Sequence, residues 1–211
     1  MTEREWAILD RLKEEYGDIG SGLRFNNPFE LLIATILSAQ STDVRVNMVT
    51  EDLFKKYPTA AAFLSLNEES LSREIASIGL YRSKSKNILK TCQTLVAEYG
   101  GEVPDDRSRL EALAGVGRKT ANVVLCNAFH KPAFAVDTHV FRVTNRLGFA
   151  NHRTVLGVEK QVTERIPEDL WCDAHHWFIW HGRGPCKARQ PKCKACFLAD
   201  LCEWSDKHKY Q

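Results

Sequence analysis

The sequence predicts an all-α protein, and three observations carry that expectation. Apolar residues recur at three- and four-residue intervals along most of the chain, the period of a helix face rather than of a strand. The one strand-like run, Ala133 to Val136, is short. The composition, 44% hydrophobic and 27% charged with 12 Gly and 7 Pro in 211 residues, is that of an ordinary globular chain. It shows no fixed-period repeat and no long linker. Since an average domain has about 150 residues, this length makes one large or two small domains.

In chain order, Phe29, Leu32, Ile33, Ile36 and Leu37 form the first apolar helix face. Pro28 suits its first turn, where a missing N–H leaves nothing orphaned. Val46, Val49, Leu53 and Phe54 give the next helix, with Ser41 and Thr42 before it as candidate N-cap oxygens. The pattern continues through 59–65, 68–77 and 83–99, where Gly100, Gly101 and Pro104 stop it. Further helices are expected over 107–113, 118–129, 138–147, 154–165 and 168–181, with a possible domain boundary near Lys131-Pro132.

Charge excludes some classes and is uninformative about others. The segment Met1 to Tyr16 is charged throughout, and the longest apolar stretch, Leu31 to Leu37, is far short of the roughly 20 residues that span a membrane. A cytoplasmic protein with no membrane partner and no export signal is expected. A formal net charge of +2 does not announce a nucleic-acid binder. Its distribution says more, because no acidic residue falls between Asp173 and Asp200, while Arg183, Lys187, Arg189, Lys192 and Lys194 do. Such a stretch is a solvated basic loop, a phosphate-facing patch or the surroundings of a metal site.

Leu110 to Phe129 reads as a short helix, a turn bracketed by Gly115 and Gly117, and a second helix with Ala121, Val124, Leu125 and Ala128 on one face. Glycines permit positive φ and close backbone approach. A turn entering a helix N-terminus offers free N–H groups and the positive end of the macrodipole to a phosphate oxygen. Such a hairpin holds DNA without reading its sequence. The plain alternative is an ordinary helical hairpin. Lys119 sits in the first turn of the second helix beside Arg118, where dipole and neighbour both disfavour its charged form. A neutral amine is a nucleophile able to form Schiff bases. The alternative is a solvated lysine paired with phosphate. Asp137 precedes the helix of Val140, Val143 and Leu147 and is placed as its N-cap. A carboxylate held rigidly there can also face developing positive charge.

Cys186, Cys193, Cys196 and Cys202 are separated by six, two and five residues. Four thiols so close among basic residues read as one metal site, and disulfides are a poor alternative where nothing suggests secretion. Zinc usually takes two close pairs, and only Cys193 and Cys196 form one, so the spacing suits a four-cysteine iron–sulfur cluster better. The basic residues would offset the cluster's negative charge and leave Lys187 and Lys194 to hold a DNA backbone. Cys92, Cys126 and Cys172 stand singly inside helical patterns and are expected as buried free thiols.

The segments LAGVGRKTANVV and AVDTHVFRVTNR, with HGRGPC and its four-cysteine spacing, resemble the endonuclease III family of the helix-hairpin-helix DNA glycosylase superfamily over nearly the whole chain. The resemblance implies a bilobal all-α architecture. Its six-helix lobe, carrying the hairpin, would span about 22–131, and its iron–sulfur lobe, holding a [4Fe-4S] cluster on the four cysteines, would combine 1–21 with 132–211. It implies Lys119 as nucleophile and Asp137 as catalytic aspartate. Gln40 in LSAQSTD would fill the gap left by an extruded base, and Leu80 in IGLYRSK would wedge the opposite strand. Gln40 also reads as a loop polar residue and Leu80 as a core leucine. Gly115, Gly117 and Arg118 would contact the DNA backbone.

The function implied is a bifunctional DNA glycosylase and abasic-site β-lyase of base excision repair. It would remove oxidised or ring-saturated pyrimidines through a lysine Schiff base, acting as a monomer on double-stranded DNA that contains damaged pyrimidines or abasic sites. A monofunctional adenine or mismatch glycosylase is the alternative within the superfamily. The adenine branch typically has a residue other than lysine at the position of Lys119 and Glu at that of Thr35. A noncatalytic redox-sensing DNA-binding module would leave Lys119 and Asp137 idle. Ala114 departs from the family's pattern, which has proline there.

Overall fold

A computed structural model describes residues 1–210. The helices are, in order, α1 (Glu3–Tyr16), α2 (Pro28–Ser38), α3 (Asp43–Lys56), α4 (Ala60–Phe63), α5 (Glu68–Glu74), α6 (Tyr81–Tyr99), α7 (Arg107–Glu111), α8 (Arg118–Phe129), α9 (Thr138–Leu147), α10 (Val155–Thr163) and α11 (Trp171–Arg183). There is no strand among the described residues, so the all-α expectation holds. The run Ala133 to Val136 forms no strand, and it is buried. No helix is long and apolar enough to cross a membrane. The chain divides into two compact units, one formed by Met1–Gly20 with the segment from Pro132 onward, the other by Ser21–Lys131.

In the Ser21–Lys131 unit, α2 is buried continuously from Phe29 to Leu37. A helix apolar on all sides belongs at the centre of a core, and α3, α6 and α8 pack around it. Asn27 caps α2 by accepting from the Glu30 N–H at 2.9 Å, with Pro28 in the first turn as the sequence predicts. Of the two expected caps for α3, Thr42 takes the role, whereas the Ser41 hydroxyl bonds elsewhere. The short α4 and α5 pack on α6, and α7 packs on α8.

The other unit contains α1, which the sequence reading did not single out because its charged residues hide a narrow apolar face. Ile8, Leu9 and Leu12 lie on that face and are buried, and Thr2 with Glu5 forms a capping box. Helix α11 packs on α9 and α1, and Phe149 meets Phe178 edge to face at 5.3 Å. Chain end is tied to chain end: Arg11 donates to both carboxylate oxygens of Asp200 at 2.7 and 2.9 Å, and Arg4 donates to the Leu147 and Leu201 carbonyls at 2.8 and 3.0 Å. Cys92 is buried and free, but Cys126 and Cys172 are not free thiols, which corrects the expectation for those two.

Candidate functional site

The first part of the site is the turn into α8. The Val116 N–H donates to the Leu113 carbonyl at 3.1 Å, and Gly115 has φ 77°. Together these define a type II turn, whose third residue needs positive φ. Gly115 is also confined, since a Cβ there would lie 2.9 Å from Asn87 Nδ2. Thr91 fixes the preceding residue by donating its hydroxyl to the Ala114 carbonyl at 2.9 Å. Gly117 differs from expectation. Its φ is −97°, so it does not use the left-handed freedom of glycine, and a Cβ there would meet open space.

Helix α8 starts with Gly117 as N-cap and no side-chain oxygen over its first turn. Among the α-helices of the described residues only α6 and α11 share that property. The first N–H groups of an α-helix have no partner inside it, and no side chain of the Gly117 N-cap covers those of α8. Lys119 and Arg118 are exposed at this end, as second and first residues of the helix.

Two further predicted residues stand together in the same unit. Gln40 (φ 55°) and Leu80 (φ 60°) are two of only four non-glycine residues with positive φ among the described residues. Such a conformation costs an L-residue about 1–2 kcal/mol, and such strain concentrates at functional positions. Leu80 is 56% exposed, so it is not the core leucine that its apolar character allowed, and Gln40 is exposed as well. Their loops touch: the Gly79 N–H donates to Ser41 Oγ at 3.2 Å, and a Cβ on Gly79 would lie 3.1 Å from the Gln40 carbonyl. Beneath them, buried Lys84 donates to the Leu37 and Ala39 carbonyls at 2.9 and 2.5 Å. Burial draws its amine below the ordinary lysine range. Sequence reasoning missed Lys84 and the Ser41 contact, because nothing in local spacing links residues about 40 apart.

In the other unit, Asp137 is half-buried at the start of α9, and its Oδ1 accepts from the His139 and Val140 N–H groups, both at 2.8 Å. Its predicted capping role is therefore real, and the cap uses one oxygen of the two. The far end of α9 grips the cysteine loop. Arg142 Nε donates to the Cys186 carbonyl at 3.0 Å, and Arg146 Nη1 donates to Cys186 Sγ at 3.4 Å.

Cys186, Cys193, Cys196 and Cys202 line one cavity together with Arg146, His181, Trp204 and Lys207. A tetrahedral zinc draws its sulfurs to about 2.3 Å from one point. The four thiols line one space, and a cluster of several irons would take one sulfur on each iron there. Burial pushes the Cys196 thiol up to about 11, and Cys193 and Cys202 also rise through burial and the proximity of other thiolates. Four thiolates in one such place require a positive group among them to be stable, and iron supplies it. The donor set fits the group. Arg146 stacks on the Trp204 ring at 3.7 Å, a neighbour that the cysteine spacing did not announce. Lys187 and Lys194 are exposed on this loop, with Arg189 and Lys192.

Residues 33–168 match the model of the HhH-GPD superfamily of base excision DNA repair proteins, and residues 186–202 match the iron–sulfur binding domain of endonuclease III. Endonuclease III of Haemophilus influenzae is 51% identical over 203 residues, covering 96% of each chain. That of Escherichia coli K12 is 52% identical over 200 residues, covering 95% of each. Among solved structures, a non-covalent endonuclease III–DNA complex matches with a TM-score of 0.93 at 47% identity and full coverage of both chains. A trapped covalent endonuclease III–DNA intermediate with an estranged adenine matches with a TM-score of 0.92 at 48% identity, over 99% of this chain and 100% of the other.

Proposed function

From the premise that the chain belongs to the HhH-GPD superfamily of base excision DNA repair proteins, and within it to the endonuclease III family, we propose that Lys119 and Asp137 carry a covalent glycosylase and lyase reaction. The protein is a DNA glycosylase with abasic-site lyase activity, its partner is DNA, and its cofactor is a [4Fe-4S] cluster. The observation that carries the assignment of Lys119 is its place: an exposed amine in the first turn of the uncapped α8, two residues beyond the glycine turn.

The base must leave the stack before its glycosidic bond is reachable. In this reading the N–H groups at the start of α8 take a backbone phosphate, and Gly117 lets it approach closely. Gln40 occupies the gap left by the base and Leu80 separates the opposite strand. The neutral Lys119 amine then attacks sugar C1′, forming a carbon–nitrogen bond as the bond to the base breaks, and the base departs with the bonding electrons and takes up a proton. One of the two protons on the attached nitrogen passes to the ring oxygen as the bond between C1′ and that oxygen breaks, giving an open-chain sugar joined to Lys119 through a protonated Schiff base. Removal of a proton from C2′ lets the C3′–O bond break with the 3′-phosphate as leaving group, and water then releases the enzyme. The Asp137 carboxylate faces the positive charge that develops on the sugar. The four cysteines hold the cluster, which carries no step of this chemistry. Its basic loop, with Lys187 and Lys194, adds phosphate contacts. The substrates are oxidised or ring-saturated pyrimidines and abasic sites in duplex DNA, acted on by a cytoplasmic monomer. The trapped covalent complex of a 48% identical relative supports this reading.

The test is borohydride trapping on a duplex with one thymine glycol, beside an undamaged duplex and the Lys119→Ala protein. A covalent adduct with damaged DNA only, absent in Lys119→Ala, is expected. An adduct that persists in Lys119→Ala refutes the assignment of the nucleophile.

A further inference from the structure

Two exposed residues with strained backbones stand side by side in the Ser21–Lys131 unit, and the ties between their loops form a small framework. Lys84 lies in the first turn of α6 and is 4% exposed. Its backbone N–H donates to the Leu80 carbonyl at 3.1 Å. Its ammonium donates to the carbonyls of Leu37 and Ala39 at 2.9 and 2.5 Å, where α2 ends and the chain turns into Gln40. One residue thus holds the backbone of both strained positions. Ser41 adds a second tie through its hydroxyl, which accepts the Gly79 N–H at 3.2 Å.

A buried lysine is unusual unless it is paired, and no carboxylate pairs with Lys84 among the described residues. Its partners are carbonyls at the negative end of α2, where a cation is favoured. Packing alone does not need this ammonium, since a methionine would fill much the same volume. What the charge supplies is a fixed exit from α2. A tip that must enter the DNA stack loses less freedom on insertion if it is already ordered.

We propose that Lys84, aided by Ser41, is a positioning residue that holds Gln40 and Leu80 ready to separate the strands at a lesion. The inference rests on the reading of those two side chains as the gap filler and the wedge. Neither Lys84 nor Ser41 touches the reacting atoms, so their loss acts on strand opening and leaves the later chemistry intact.

The experiment compares two abasic duplexes, one complete and one whose opposite strand lacks the nucleotide facing the abasic site, so that no base has to be displaced. In the complete duplex, 2-aminopurine opposite the site reports unstacking by fluorescence. Lys84→Met, which keeps the stem and loses both charge-assisted hydrogen bonds, is expected to cut the fluorescence rise and slow single-turnover cleavage of the complete duplex at least about tenfold, since one such bond alone corresponds to roughly that factor. Cleavage of the gapped duplex is expected to be unchanged. Ser41→Ala is expected to do the same more weakly, with Ser41→Thr restoring the hydroxyl and the activity. Ser41 is half-buried on a loop, so its variants test the idea even if Lys84→Met does not fold. Equal losses on both duplexes, or no loss on the complete one, overturn the proposal. Failure of the unaltered protein to raise the fluorescence of the complete duplex refutes instead the gap-filler and wedge reading on which it rests.

Discussion

Replacing Asp137 by asparagine removes a charge but not a cap. Oδ1 receives two N–H groups at 2.8 Å, and an asparagine carbonyl oxygen in the same place can accept both, because Asn and Asp are equivalent N-caps. The stability cost is the lost attraction between carboxylate and helix dipole, about 0.3–1 kcal/mol. Asp137→Ala loses the cap as well and costs about 0.5–2 kcal/mol. For a chain of this size each kcal/mol lowers Tm by about 2–4 °C, so thermal melting ranks the two variants, with alanine the less stable. Activity is expected not to follow that ranking. If the carboxylate faces positive charge on the sugar, both variants lose the same interaction, and single-turnover base release falls about 10²–10³-fold in each. The assay is thymine glycol release at saturating enzyme, run beside the melts on the same preparations. An Asp137→Asn protein that melts near the unaltered protein and keeps full turnover refutes the catalytic role and leaves Asp137 a helix cap.

Ala114 occupies the second position of the type II turn that Gly115 completes. Proline favours that position, so Ala114→Pro is expected to stabilise the protein by about 0.4–1 kcal/mol, read by thermal melting. A fall in Tm would show that the turn does not tolerate the ring. Gly115→Ala is expected to destabilise by at least the 1–2 kcal/mol of a left-handed L-residue, because the new Cβ also meets Asn87; an unchanged Tm would refute the assigned turn. The purified protein is expected to be yellow-brown with about four irons, and stoichiometric zinc without visible absorption would overturn the cluster. Cys193→Ser is expected to lose that colour and to weaken catalysis. Helix α9 carries Asp137 at one end and is anchored at Cys186 through Arg142 and Arg146. Full activity in a colourless protein would break that link.

What was legible in the sequence is chemistry that acts over a few residues. Pro28, Thr42 and Asp137 mark helix starts because a helix's first turn needs only residues within about three positions of it. The Gly115 turn is legible for the same reason, as is the gathering of four cysteines within seventeen residues. Gly117 shows the limit: glycine permits positive φ but does not require it, and here the extended approach to α8 needs none. Helix α1 shows another, since three buried apolar residues suffice once α11 covers them, and charge on the other faces masks so narrow a stripe. Lys84 shows the deepest limit. A lysine in an exposed-looking RSKSK run gives no local sign that its amine will be buried on carbonyls 45 and 47 residues earlier. Leu80 is the converse, a leucine whose hydrophobicity argued for the core and whose position argued for the surface. Its exposure decides between them, since Leu80 is 56% exposed, and its φ of 60° is a strain that the ties around it hold in place. The residues hardest to read were those whose role depends on a distant loop, and in the proposed reading those loops are where the protein enters DNA.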